Sequence, residues 1–295
     1  MTDDATLVDA AALRDWPLPE PGSSKHARGT VLAVGGSARV PGALQLAGEA
    51  ALRAGGGKLQ VVTTASVARQ VAVSLPEALV ERAEEGDSGD IVPEAADRVV
   101  ELAEGARAVL TGPGITSPEA ATALLSQVLP QMHDVAVVVD ALGSACITDD
   151  ISVLHHLDAR AVLTVNPHEM ALTLHRDPDD VEDDPQGAAR DLAREARAVV
   201  LLGGSTKHVA HPDGRLWTID RGCPGLGVSG SGDVQAGLVT GLLARGAEPH
   251  QAAVWGAWLH GRAGEVLAEQ VGPLGFLARE LGAVVPRLLV EPGGS

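Results

Sequence analysis

The sequence has no tyrosine, a single phenylalanine and only two cysteines in 295 residues. Aromatic side chains make up 2% of the chain, while apolar residues make up 45%. Ala, Val and Leu must therefore fill the core, and such small side chains suit helices packed closely on a parallel sheet. Cys146 and Cys223 have neither metal-ligand spacing nor a disulfide framework, which fits a reducing cytosol. Basic residues are also scarce. Lys and Arg number 22 against 39 Asp and Glu, a formal charge of −17. That surface repels a nucleic-acid backbone, and no Lys/Arg run offsets it. Any phosphate recognition must then use backbone N–H groups and helix ends. No apolar window approaches the length of a membrane span. The start, Met1-Thr2-Asp3-Asp4, is acidic and unlike a signal peptide. The chain reads as a soluble cytoplasmic protein with neither nucleic-acid nor membrane partners.

What is present is a rhythm of short apolar runs stopped by polar or glycine turns. Thr30–Val34 runs into Gly35-Gly36-Ser37, and a helix of about Pro41 to Ala54 follows. Leu59–Thr63, Ala108–Thr111, Val135–Asp140, Ala161–Val165 and Ala198–Leu202 read as further strands, with helical patterns between most of them. Strands alternating with helices imply an α/β fold with a mostly parallel sheet covered on both faces. Lys207 to Asp220 alternates around Pro212-Asp213-Gly214, a β-hairpin signal. Three helices close the chain, near 230–245, 251–270 and 275–289. The Asp- and Pro-rich stretch Arg176–Asp184 reads as a solvated loop. No linker appears, so residues 1–295 are expected to form one domain. His26, His155, His156, His175 and His260 form no constellation and are expected on surfaces or helices. The helix around Trp255 and Trp258 is a candidate for packing between subunits.

In open α/β sheets, ligands bind beyond the carboxyl ends of the strands. Those ends carry Gly35-Gly36-Ser37, Gly112-Pro113-Gly114, Asp140, Asn166-Pro167-His168-Glu169 and Gly203-Gly204. Turns are rich in such residues anyway, so each cluster alone has a structural alternative. The most informative segment is Gly225 to Asp233, with four glycines in the eight residues up to Gly232, leading into an apolar helix. Free N–H groups at a helix start attract anions, and glycines let a phosphate approach. Yet Asp233 stands at that same turn. A carboxylate beside a phosphate is repelled unless it acts, and its natural action is as the base for an attacking hydroxyl. The alternative is that Ser229 or Ser231 caps the helix and Asp233 complements its dipole. A P-loop would need Lys-Ser or Lys-Thr after its last glycine, and none is present. Asn166 and Glu169, three apart at a helix start, share a face. They can hold the water shell of Mg²⁺, or simply begin the helix with Pro167 at its first position. Gly203-Gly204-Ser205-Thr206 can hold nucleotide phosphates through backbone and hydroxyl groups.

Taken in order, these segments resemble one family. Arg28–Ser37 with Gly42-Ala43, Leu52–Gly57, Pro76–Leu79, Gly112–Gly114, Val139–Ala141 and Gly222–Asp233 are similar to the nucleotide-dependent NAD(P)H-hydrate dehydratases of the ribokinase-like superfamily. The resemblance runs from about Arg28 to Gly246 and implies a three-layer αβα sandwich. It also implies a repair lyase that takes NADH or NADPH hydrated at C6 of the nicotinamide ring. ADP or ATP would phosphorylate the ring hydroxyl, phosphate would leave, and the double bond would reform. By resemblance Asp233 is the base and also touches the hydrate, together with Ala43, Gly114, Asn166 and His168. Leu202, Gly203, Gly204, Ser205 and Thr206 would hold the AMP part. Gly230, Ser231 and Gly232 would hold the transferring phosphate, with Mg²⁺ near Glu169 through water. The family's assembly implies a homo-oligomer, a tetramer. The sequence departs from the pattern in places. Asn166 stands where the family has histidine, Leu202 where it has lysine, and Ser231 where it has threonine. Lys207 on the hairpin is a candidate to replace that lysine. A vitamin-precursor or sugar kinase of the same superfamily is the alternative reading.

Overall fold

A computed structural model describes residues 5–290 and Pro292. The acidic Met1–Asp4 start lies outside the described residues. Among the described residues, ten strands form one sheet. In chain order they are β1 (Thr6–Leu7), β2 (Thr30–Val34), β3 (Lys58–Thr64), β4 (Ala78–Ala83), β5 (Ala108–Thr111), β6 (Ala136–Asp140), β7 (Ala161–Val165), β8 (Val199–Leu202), β9 (Lys207–Ala210) and β10 (Leu216–Ile219). Across the sheet the order is β1-β10-β9-β8-β7-β6-β5-β2-β3-β4. The seven strands from β8 to β4 run parallel. The β9–β10 hairpin is antiparallel, as its alternation implies.

Both faces of the parallel strands are buried, which explains their continuous apolar runs. Alternate residues feed two separate cores. On β2, Val31 and Ala33 join the layer of the helices Gly42–Arg53, Ser231–Ala244, Pro249–Gln270 and Ala278–Val290. Leu32 and Val34 join the opposite layer, with helices such as Pro118–Val128 and Pro185–Ala196. The result is the expected αβα sandwich. Scarcity of aromatics has a visible counterpart in the first layer. The helices Gly42–Arg53 and Ser231–Ala244 approach so closely that a Cβ on Gly237 would strike the Ala47 carbonyl, and one on Gly241 the Ala51 carbonyl.

Three expectations change. The stretch Arg176–Asp184 contains a short helix, Pro178–Asp183, capped by the Asp177 side chain. The same Asp and Pro residues that suggested a loop are helix-start residues. β4 was not anticipated, because it is an edge strand whose Glu81 and Arg82 interrupt any apolar run. Trp255 and Trp258 are 3% and 1% exposed and lie in the protomer's own core, so they present nothing to a partner. Among the described residues no helix is long and apolar enough to cross a membrane.

Candidate active site

The chain visits β2, β3 and β4 on one side and then crosses back to β5, so the direction of winding reverses between β2 and β5. Glycine turns leave both strands there. The Gly36 N–H donates to the Pro113 carbonyl at 2.7 Å, tying the two turns together. Gly114, at φ +74°, is pressed against this junction. A Cβ placed on it would strike the Val40 carbonyl and lie 3.1 Å from the Ala43 Cβ. Two residues 71 positions apart by number, Ala43 and Gly114, thus meet at the switch point, where doubly wound sheets bind ligands.

Beside the junction lies a cleft of about 910 Å³, within the ordinary size of small-molecule sites. Its floor is the carboxyl edge of β6, β7 and β8, and one wall is the start of the helix Ser231–Ala244. Of the residues singled out in the sequence, Asn166, Glu169, Gly203, Gly204, Ser205, Gly230, Ser231, Gly232 and Asp233 line it. Others fall outside. Leu202 is buried in the core and His168 is exposed on its helix, so neither side chain reaches the cleft. Thr206 bonds its hydroxyl to Asp220 at 3.5 Å and is not in the lining. Ala43 and Gly114 stand at the neighbouring switch point.

The helix start leaves donors free. Gly230 caps it at φ +90°, a conformation that glycine adopts without strain. Ser231 spends its N–H on the Val228 carbonyl. The N–H groups of Gly232 and Asp233 have no acceptor among the described residues. These free donors and the helix dipole face the cleft.

Three carboxyl groups face the same space. Burial raises the Asp233 carboxyl to about 6. Asp140, the last residue of β6, is 6% exposed and accepts a 2.6 Å hydrogen bond from Thr164 of β7, its register partner. Burial first, and then the charge of Asp233, push Asp140 up to about 8. At neutral pH, Asp140 is therefore protonated while Asp233 is mostly ionised. Burial also raises Glu169. Its carboxylate accepts the Asn166 N–H at 2.9 Å, and the Asn166 side chain accepts the Glu169 N–H at 2.9 Å. This reciprocal capping box accounts for the Asn-x-x-Glu spacing on structural grounds alone.

Two lining residues had weak or no sequence signal. Lys207, the first residue of β9, is 3% exposed and donates to the Arg221 carbonyl at 2.8 Å. His260, expected on a surface or a helix, lies on the helix Pro249–Gln270, buried in the cleft wall with its Nε2 2.8 Å from the Ser231 Oγ. Asp140 was legible as a polar strand end but carried no mark of its protonation.

A family model described as NAD(P)H-hydrate dehydratase matches residues 31–287. An ADP-dependent (S)-NAD(P)H-hydrate dehydratase of Xanthomonas campestris pv. campestris is 46% identical over 283 residues, 96% of this chain and 95% of that one. The chain spans about half the length of the bifunctional NAD(P)H-hydrate repair enzymes it also matches. Among solved structures, the ADP/ATP-dependent NAD(P)H-hydrate dehydratase of Bacillus subtilis, co-crystallised with ATP/Mg²⁺, superposes with a TM-score of 0.78 at 26% identity, covering 97% of this chain and 98% of that one. A ribokinase-like superfamily protein of Enterococcus faecalis superposes with a TM-score of 0.83 at 21% identity, over 97% and 95% of the two chains, which shows the fold alone.

Proposed function

This chain belongs to the NAD(P)H-hydrate dehydratase family, and from that premise we propose that it is an ADP-dependent (S)-NAD(P)H-hydrate dehydratase, a lyase that repairs hydrated NADH and NADPH. One observation carries the proposal. A half-buried carboxylate, Asp233, stands at a helix start whose free N–H groups face the cleft, next to the switch point where Ala43 meets Gly114. A hydroxyl and a phosphoryl group brought together there meet a base and an anion site at once.

The hydrated nicotinamide ring lies toward Ala43 and Gly114, and the nucleotide lies along Gly203–Ser205. Asp233 takes the proton of the C6 hydroxyl as its oxygen bonds to the β-phosphorus of ADP. The bond from that phosphorus to the bridging oxygen breaks, and AMP leaves. The Gly232 and Asp233 N–H groups hold the transferring phosphoryl oxygens. The C6–O bond of the phosphate ester then breaks, a proton leaves C5, and the ring double bond reforms with release of phosphate. Asp140, held neutral, adds no second charge beside the base. Lys207 supplies a cation to a cleft otherwise rich in carboxyl groups. Asn166 places Glu169 at the β7 end through the capping box, and His168, exposed on the same helix, is outside the cleft lining.

Mg²⁺ suits the donor set. The ion keeps most of its waters and needs only one or two carboxylates beside phosphate oxygens. Among the described residues no cluster of three or more His, Cys, Asp or Glu forms a dedicated cage. The Glu169 carboxylate lines the cleft and suits a water-mediated contact. Bound there, the ion would neutralise phosphate charge. The same proposal includes a single cytoplasmic domain that assembles as a homo-oligomer.

The test is direct. Purified protein is incubated with hydrated NADH plus ADP or ATP, and recovery of the near-ultraviolet absorbance of NADH is followed. ADP-dependent recovery is expected, and an Asp233→Asn variant should keep nucleotide binding while losing roughly 10²–10⁴-fold in turnover. No recovery with either nucleotide would sink the dehydratase reading. Phosphorylation of a vitamin precursor or sugar instead would favour the kinase, which the family match disfavours.

A further inference from the structure

His260 lies mid-helix in Pro249–Gln270, 5% exposed, and lines the cleft. Its Nε2 is 2.8 Å from the hydroxyl of Ser231, itself 5% exposed and the first residue of the helix that opens on the cleft. Its other ring nitrogen, Nδ1, is buried with no partner among the described residues. Burial first, and then the charge of Lys207, push its pKa down to about 3, so the ring is neutral and carries one N–H.

The proton has two places to sit. On Nδ1, it would be a buried donor without an acceptor, the rarer and costlier kind of orphan. In that tautomer Nε2 would also consume the Ser231 hydroxyl proton. The serine would then turn oxygen lone pairs toward the cleft, where a phosphoryl oxygen would be repelled. On Nε2, the ring N–H donates to the Ser231 Oγ and leaves a bare lone pair at Nδ1. The serine hydroxyl, which has no other partner among the described residues, keeps its own proton to donate.

We propose that His260, as the Nε2–H tautomer, is a positioning residue that makes Ser231 an obligate hydrogen-bond donor to a phosphoryl oxygen in the cleft. The inference rests on the reading of this cleft as a phosphoryl-transfer site. It names a residue that acts through another, 29 positions away by number, and assigns the sign of the contact.

Two measurements test it on the full chain. In protein labelled with ¹⁵N-histidine, long-range ¹H–¹⁵N correlation reports which ring nitrogen carries the proton, with His260→Gln used to assign the signal. A protonated Nε2 is expected, and a protonated Nδ1 would overturn the proposal. The second is a double-mutant cycle on ADP affinity and on kcat/KM. Ser231→Ala and His260→Leu should each lower kcat/KM roughly 10- to 100-fold, the range of one hydrogen bond to a charged group. Their combination should be no worse than Ser231→Ala alone. The His260→Gln variant, whose amide can donate from a similar place, should regain most of the loss. Equal losses from His260→Leu with and without Ser231 would mean that the ring serves only packing, and the inference would fall. ADP affinity is read without the hydrated cofactor. Absent turnover with an intact cycle in ADP binding would therefore refute the proposed activity and leave this inference standing.

Discussion

The two raised carboxyl groups make a prediction about pH. In the proposed reaction Asp233 must be ionised to accept a proton, and burial raises its carboxyl to about 6. One pH unit below that value about one molecule in eleven is ionised, so kcat/KM should fall roughly tenfold at pH 5. Asp140 behaves differently. It titrates near 8 because burial and the charge of Asp233 both oppose its ionisation. Across the acid limb Asp140 is therefore neutral and exerts no charge on Asp233. Above pH 8 it becomes a second anion beside the base and the incoming phosphates, and the rate should fall again. The profile is a bell with limbs near 6 and 8. Asp140→Asn keeps an acceptor for the 2.6 Å bond from Thr164 and cannot ionise. In that variant the alkaline limb should vanish and the acid limb should stay near 6. The assay is kcat/KM for hydrated NADH at saturating ADP from pH 5 to 9, with buffers overlapped. An acid limb that moves down by a unit or more in Asp140→Asn would refute the reasoning, because it would mean that Asp140 carries charge while Asp233 titrates.

The same carboxyl group affects stability with a definite sign. Its folded pKa lies above its ordinary value of 3.8, so it favours the folded state at low pH, and that contribution is lost as pH rises from about 4 through 8. Asp140→Asn should therefore leave stability unchanged near pH 4 and raise it by on the order of a few kcal/mol at pH 8, measured by urea unfolding at both values. Gly237→Ala places a Cβ against the Ala47 backbone carbonyl, which cannot move aside as a side chain would. A loss of about 1–3 kcal/mol and a lower Tm in a thermal melt are expected, and an unchanged Tm would contradict the close approach of the two helices. Glu169→Gln should raise the Mg²⁺ concentration needed for half-maximal rate. Asn166→Ala should instead cost about 1 kcal/mol in urea unfolding through the lost cap. If both variants change only stability, the acid serves the capping box and no ion.

Much of the architecture was legible because the signals are local. An apolar run such as Ala161–Val165 needs two buried faces, and the turn after it must leave the sheet at the same edge as its parallel neighbours. Knowing that the strands were parallel was thus enough to gather Asp140, Asn166–Glu169 and Gly203–Gly204 on one edge. The Gly225–Asp233 segment was legible for a similar reason, since helix-start chemistry depends on consecutive residues. The failures have the opposite character. β4 escaped because an edge strand tolerates Glu81 and Arg82 on a half-solvated face. The Pro178–Asp183 helix escaped because caps and turns draw on the same residues.

The sequence by itself determined the layered parallel fold, the edge on which the cleft lies, and the pairing of a glycine-rich helix start with Asp233. Each follows from periodicity or from a few adjacent residues. Only the tertiary structure decided that Ala43 touches Gly114, that Leu202 and His168 turn away from the cleft, and that His260 meets Ser231. It alone also set the protonation of Asp140, Asp233 and His260. Those states depend on how much water is excluded and which distant charges lie nearby. Desolvation is a property of the packed surroundings, and no spacing along the chain records it.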